Sequence, residues 1–355
     1  MVSVADRRGT WNDHRRAPGF SASWVGRFDN CDVSIFRNAV SPVTYQTINR
    51  SYQCSFQTYD RAGYSHEAAV ELMKCGVKLA VEAREIYLKE VGGSHERKIK
   101  IALSLGPFGA SLSPAQEFDG FYPPPYGPKE YSPDGQNSNA YLEEQVQEEL
   151  EAENMLKLFH LERLKVFAED DLIWQGVDML AFETVPLARE TRAIRRAIGS
   201  LDGFAPKPWW ISTVWPGGTF PQGNKSGSGR LAVRDVFDAL FGEVTEYNPA
   251  PQGFGVNCTT IENMKAVVTE MGKNVNVHQS PFLVIYPNGG DVYDIIERRW
   301  VTTAGPDSPK AWASSLAEFV ESQLRCGTWS RILVGGCCRT YPEHIQILSN
   351  KVRRT

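Results

Sequence analysis

Two hydrophobic periods take turns along this chain. From residue 48 onward, short apolar or alternating runs of strand character are followed by longer segments whose apolar residues recur every three or four positions. Tyr52, Cys54 and Phe56 alternate with Gln53, Ser55 and Gln57, which predicts a strand. Val70, Met73, Val77 and Ala80 then fall at helical spacing up to Glu90, where Val91-Gly92-Gly93-Ser94 stops the helix. The same alternation predicts strands over 98–105, 178–182, 209–214, 253–256, 282–286 and 331–334. Helices are predicted over 141–176, 189–198, 231–241, 261–271, 311–324 and 342–351. Two stretches break the rhythm. Residues 113–138 are full of Pro, Tyr and Gly and read as a lid or binding loop, and 217–229 reads as a glycine-rich rim loop without the Gly-Lys-Ser/Thr ending of a phosphate loop.

Seven strands alternating with helices are the signature of a parallel sheet with helical crossovers, and 355 residues suit one (β/α)8 TIM barrel. An eighth strand is needed to close the barrel. The least legible part of the chain, residues 1–44, is the only place for it, so the first strand is expected to be diverged or incomplete, with 31–36 as its replacement. The expected division is therefore an N-terminal segment over 1–44 and a barrel domain over 45–355.

Composition narrows the function classes. A net charge of −4 argues against a nucleic-acid or membrane surface. No apolar run approaches the roughly 18 residues of a membrane helix, and the N-terminus lacks the apolar core of a secretory signal. Seven scattered cysteines do not form a disulfide framework, which points to a reducing, cytoplasmic setting. Cys31, Cys54, Cys75 and Cys326 read as small packing residues, and His66 and His160 as structural ones.

The polar residues are placed with more regularity than packing requires. Glu183, Cys258, Asn288 and the pair Cys337-Cys338 each follow the last apolar residues of a predicted strand. In a (β/α)8 barrel those ends share one face, where active sites lie. Adjacent cysteines do not readily bridge each other, but thiolates suit zinc. Cys258, Cys337 and Cys338 together offer three sulfur ligands and leave a fourth position open, the pattern of a catalytic rather than a structural zinc site. Glu183 alone would also suit the cap of the following helix.

The motifs Gly255-Val256-Asn257-Cys258 and Gly335-Gly336-Cys337-Cys338-Arg339-Thr340 carry a resemblance to the homocysteine S-methyltransferase family of zinc-dependent (β/α)8 barrels. Weaker matches lie at 51–56, 104–110, 117–122, 182–184 and 286–290, in the family's order over roughly residues 45 to 350. The resemblance implies that Cys258, Cys337 and Cys338 hold Zn2+, with the homocysteine thiol as fourth ligand. It assigns Glu183 to the homocysteine amino group. It leaves Asn257 (a candidate catalytic residue) and Asn288 (a candidate substrate-binding residue) as rim residues that hydrogen-bond substrate or support the ligands. The implied reaction makes methionine with a sulfonium donor, S-methylmethionine or S-adenosylmethionine. The alternatives are a betaine-using methyltransferase, or a zinc-binding member inactivated by its N-terminus. The family's opening Asp-Gly-rich strand and Gly-Thr-Glu are represented here only by Asp6-Arg7-Arg8-Gly9-Thr10-Trp11.

Overall fold

The principal strands are β1 (Cys31–Asn38), β2 (Tyr45–Asn49), β3 (Ile99–Leu105), β4 (Met179–Val185), β5 (Trp209–Thr213), β6 (Gly253–Asn257), β7 (Phe282–Tyr286) and β8 (Ile332–Val334). The structure, a computed structural model, describes residues 27–28, 31–38, 45–49, 51–90, 99–276, 280–290, 292–294, 299–301 and 309–352. Strands β2 to β8 pair parallel in chain order and curl into one sheet. Helices make the crossovers: α1 (Phe56–Arg61) and α2 (His66–Glu90), α3 (Val146–Ala168) and α4 (Asp171–Gly176), then α5 (Ala188–Ile198), α6 (Val233–Phe241), α7 (Ile261–Gly272) and α8 (Pro309–Cys326). Helix α9 (Pro342–Val352) closes the described chain.

Strand β1 stands where the missing first strand was expected, between β8 and β2, but it runs antiparallel to both. The architecture is therefore α/β with a curled parallel sheet of TIM-barrel type, bridged by one reversed strand, and not a uniform eightfold repeat among the described residues. The match between 6–11 and the family's opening motif lies outside the described residues.

Three local expectations are corrected. Residues 52–56 are not a strand: the strand is β2, and Phe56 opens α1. Ser55 is the reason, because its hydroxyl accepts from Thr58 N while Thr58 Oγ1 accepts from Ser55 N, a reciprocal cap that starts a helix. The long helix predicted over 141–176 begins only at Val146 and is split at 169–170, where the Asp170 carboxylate accepts from Ile173 N and starts α4. Glu183 and Thr184 lie inside β4 rather than after it.

Packing follows the two-residue period of each strand. Leu103, Leu180, Phe182, Trp209, Ile211, Phe254, Leu283 and Ile332 face outward and bury under the helices, with Val77, Phe167, Trp174, Met264 and Trp312. Ala102, Met179, Ala181, Trp210, Val284, Tyr286 and Leu333 form a separate interior cluster. The same parity continues toward the C-terminal strand ends, so Ser104, Glu183, Ser212, Asn257 and Tyr286 are assigned to the interior layer. Gly255 is needed there because a side chain would overlap Ser212 Oγ and the Val284 carbonyl.

One polar cluster is buried away from that layer. Glu190 on α5 accepts from Phe108 N at 2.6 Å and Tyr122 OH at 2.7 Å, and lies 3.0 Å from His160 Nε2 on α3. Burial lowers the His160 pKa from its ordinary value; Glu190 opposes this and Arg163 adds to it. The folded protein thus binds this proton less readily than the unfolded chain, and stability falls as pH drops through about 6.5, by up to about 1.4 kcal/mol per pH unit. Urea unfolding at pH 7.5 and 5.5 is expected to show a smaller loss in His160→Gln, which keeps an amide donor for Glu190, than in the parent. Equal losses would place the acid sensitivity elsewhere.

Candidate metal centre at the strand ends

Cys258 follows β6 directly, and Cys337 and Cys338 follow β8 after two glycines. Cys258 has φ of +48° and Arg339 of +63°, left-handed turns that swing each segment sharply at the rim. Thr260 accepts from Asn263 N and starts α7 two residues after Cys258, which explains the abrupt turn. On the other side, Cys337 N donates to the Pro287 carbonyl and Gly289 N to the Cys338 carbonyl, each at 2.9 Å. The two loops after β7 and β8 are thereby locked together. Gly289 has no room for a side chain, since a Cβ would overlap the Arg339 carbonyl.

The three sulfurs converge. Cys258 Sγ lies 2.8 Å from Cys337 Sγ and 3.8 Å from Cys338 Sγ, and the latter two are 4.0 Å apart. Three sulfurs of a tetrahedral zinc site at about 2.3 Å from the metal are about 3.8 Å apart. Two of the three separations meet that spacing, and the third needs about 1 Å of opening. The set of three free thiols within 4.8 Å of one another is the group of metal-ligand type found among the described residues. Contacts with Cys337 and Cys338, together with burial, push the Cys258 thiol well above its ordinary pKa. Cys337 is pulled down by Cys258, but Cys338 and burial outweigh this and leave it at about 12. Crowded thiols of this kind stay protonated until a cation replaces their protons.

The other expected residues lie on β4, on β6 and in the loop after β7. Asn257 Oδ1 accepts from Thr184 N at 2.9 Å, its Nδ2 donates to Thr184 Oγ1 at 2.7 Å, and Nδ2 lies 4.0 Å from Cys337 Sγ. It ties β4 to β6 beneath the sulfurs. Glu183, one residue before Thr184, is buried and accepts from Ser104 Oγ. The Tyr286 hydroxyl donates to Ser212 Oγ at 2.8 Å beside that carboxyl; burial first, and the Glu183 charge second, raise its pKa well above the ordinary phenol value. Asn288 is 4% exposed, its carbonyl accepts from Trp312 Nε1, and its side-chain Oδ1 has no hydrogen-bond partner among the described residues. A buried acceptor in that condition is suited to a donor brought by a ligand.

Ser104, Thr184, Ser212, Tyr286 and Tyr52 escaped the sequence reading as individuals. The first four carried a usable signal: they are polar residues at or near the C-terminal ends of buried strands, and three of them share parity with Ala102, Trp210 and Val284. Tyr52 carried only its place in the weak family match over 51–56, because its predicted strand does not exist.

The model of the family described as homocysteine S-methyltransferase matches residues 47–352. Homocysteine S-methyltransferase 2 of Arabidopsis thaliana is 28% identical over 310 residues, covering 85% of this chain and 77% of the plant protein. Betaine-homocysteine S-methyltransferase of Drosophila melanogaster is 25% identical over 339 residues, covering 91% and 84%. Among solved structures, the metallated form of the homocysteine methyltransferase MmuM from Escherichia coli superposes with a TM-score of 0.56 at 24% identity, covering 88% of this chain and 80% of that one. That likeness extends to the fold.

Proposed function

The chain belongs to the homocysteine S-methyltransferase family, and from that premise we propose that it methylates the homocysteine thiol to give methionine, with Zn2+ held by Cys258, Cys337 and Cys338 and a sulfonium, S-methylmethionine or S-adenosylmethionine, as donor. The observation that carries the reading is the convergence of three thiols from two strand ends at one rim. Zinc bound there supplies thiol activation: a free thiol has a pKa near 8.5 and is mostly protonated at pH 7, whereas a coordinated one is deprotonated.

The chain's own residues bind and orient. Glu183, steadied by Ser104, offers a carboxylate to the amino group of homocysteine. Asn288 Oδ1 offers a further acceptor. Asn257 holds the floor of the site by its two bonds to Thr184 and keeps an amide beside Cys337. In the transfer, a sulfur lone pair of homocysteine forms the new C–S bond. The electron pair of the breaking bond returns to the donor sulfur, which leaves as a neutral thioether, and the thiol proton goes to solvent. No general acid is needed for such a leaving group, and orientation of the two reactants contributes much of the rate.

The test is metal analysis of protein purified under reducing conditions, with a thiol-methylation assay using S-methylmethionine, S-adenosylmethionine and betaine in turn. Bound zinc without turnover of any donor sinks the enzymatic reading, and absence of zinc sinks the site. Within that assay, Glu183→Gln removes a charge-assisted bond and is expected to raise the KM for homocysteine about 10- to 30-fold. Its zinc content stays that of the parent, and an unchanged KM would remove Glu183 from substrate binding.

A further inference from the structure

The loop after β3 brings a second carboxylate to the site. Tyr52 OH donates to Glu117 Oε2 at 2.9 Å, and the same partly buried phenol has Thr184 and Cys258 among its electrostatic neighbours. Glu117 therefore reaches the neighbourhood of the thiols through one intervening side chain.

Its placement is built, not incidental. Gln116 N donates to the Gly109 carbonyl at 2.9 Å, and Gly120 N to the Gln116 carbonyl at 2.8 Å. Gly109 packs so closely on Gln116 that a Cβ would lie 2.6 Å from its carbonyl oxygen. Glu190 grips the loop at Phe108 N and Tyr122 OH, and Arg61 Nη2 donates to the Ser111 carbonyl at 2.6 Å. On the other partner, Arg163 is fully buried and donates to the Gly106 and Tyr52 carbonyls at 2.8 and 3.2 Å, which fixes the Tyr52 backbone.

We infer that Glu117, presented on Tyr52, is a specificity-determining residue that binds the cationic sulfonium of the methyl donor beside the thiol cluster. The inference rests on the methyltransferase reading above and deepens it. A sulfonium has no proton to donate, so charge and an aromatic face recognise it rather than hydrogen bonds. A carboxylate whose lone pairs are engaged by Tyr52 still attracts it. Three thiolates around Zn2+ already carry a formal charge of −1, and a further carboxylate next to them disfavours an anionic group at that place while favouring a cation. In betaine the carboxylate is one carbon from the ammonium and would be driven against Glu117. In S-methylmethionine the carboxylate stands several bonds from the sulfonium.

The experiment is a kinetic comparison of the zinc-loaded parent, Glu117→Gln and Glu117→Asp. In Glu117→Gln the KM for S-methylmethionine is expected to rise about tenfold or more, with the KM for homocysteine and the zinc content unchanged. The preference for S-methylmethionine over betaine falls, and Glu117→Asp recovers part of both. A merely structural loop residue would not split the two KM values. A donor KM within about twofold of the parent in Glu117→Gln, or a parent that uses betaine as well as the sulfonium, overturns the inference. If the zinc-loaded parent turns over no donor, the methyltransferase reading has failed separately. Calorimetric titration with S-methylmethionine then decides: about tenfold tighter binding to the parent than to Glu117→Gln supports the inference, and equal or absent binding overturns it.

Discussion

Cys337→Ala is expected to lose the metal and the methyl-transfer activity together. Cys337 shares the shortest sulfur–sulfur approach of the cluster, 2.8 Å to Cys258 Sγ, and lies 4.0 Å from Cys338 Sγ. Without it, two sulfurs remain, and two are too few to hold zinc while leaving one position open. Bound zinc should fall from about one per chain to none, and the rate by at least about 10^3-fold. The side chain is only partly buried, so in the absence of metal the thermal midpoint should differ little from that of the metal-free parent. Cys75→Ala is the matching control, because Cys75 sits on α2 away from the cluster. It should keep both zinc and activity. Turnover by the metal-free Cys337→Ala protein would refute the mechanism.

Gly289→Ala should damage the same site without touching a ligand. Gly289 N holds the Cys338 carbonyl, and the space where a Cβ would stand is filled by the Arg339 backbone. Backbone cannot rotate aside as a flexible side chain can, so the loop carrying Cys337 and Cys338 must shift. Overpacking of this kind costs about 1–3 kcal/mol in stability. Displacing the support behind metal ligands weakens metal binding about 10- to 100-fold. Competition against a zinc chelator reads the second effect directly. Parent-like affinity in Gly289→Ala would show that the loop after β7 does not position the thiols.

Much of this molecule was readable from apolar periodicity because parallel strands are buried on both faces. Their sequences become continuous apolar runs, such as Leu283-Val284-Ile285, that stand out against amphipathic helices. The thiols were readable for a different reason: cysteines at strand ends are brought to one rim by any barrel of this class. What stayed hidden had no periodic signal. The alternation of Tyr52, Cys54 and Phe56 has the strand period, yet the Ser55–Thr58 cap decides for helix, a local hydrogen-bond choice that hydropathy does not register. The direction of β1 was equally hidden. An alternating segment reads the same forwards and backwards, and only its pairing of Val33 with Asn49 and Arg37 with Tyr45 reveals the reversal. Glu117 opens the weak family match over 117–122, but its placement beside Tyr52 had no periodic signal, because the loop that carries it is held by scattered contacts to Glu190, Arg61 and Arg163 rather than by a repeat.

The left-handed turn at Cys258 has a consequence for the history of this chain. A side chain at φ of +48° is tolerated at a cost of about 1 kcal/mol or more, while glycine or asparagine occupies that conformation with less strain. Drift under selection for folding alone would therefore favour replacing Cys258, and the replacement would leave a sturdier protein. A thiol at a corner of the rim where the backbone favours glycine or asparagine sets the chemistry of this position against its stability. Such a trade would make this position an early casualty in any descendant freed from its task.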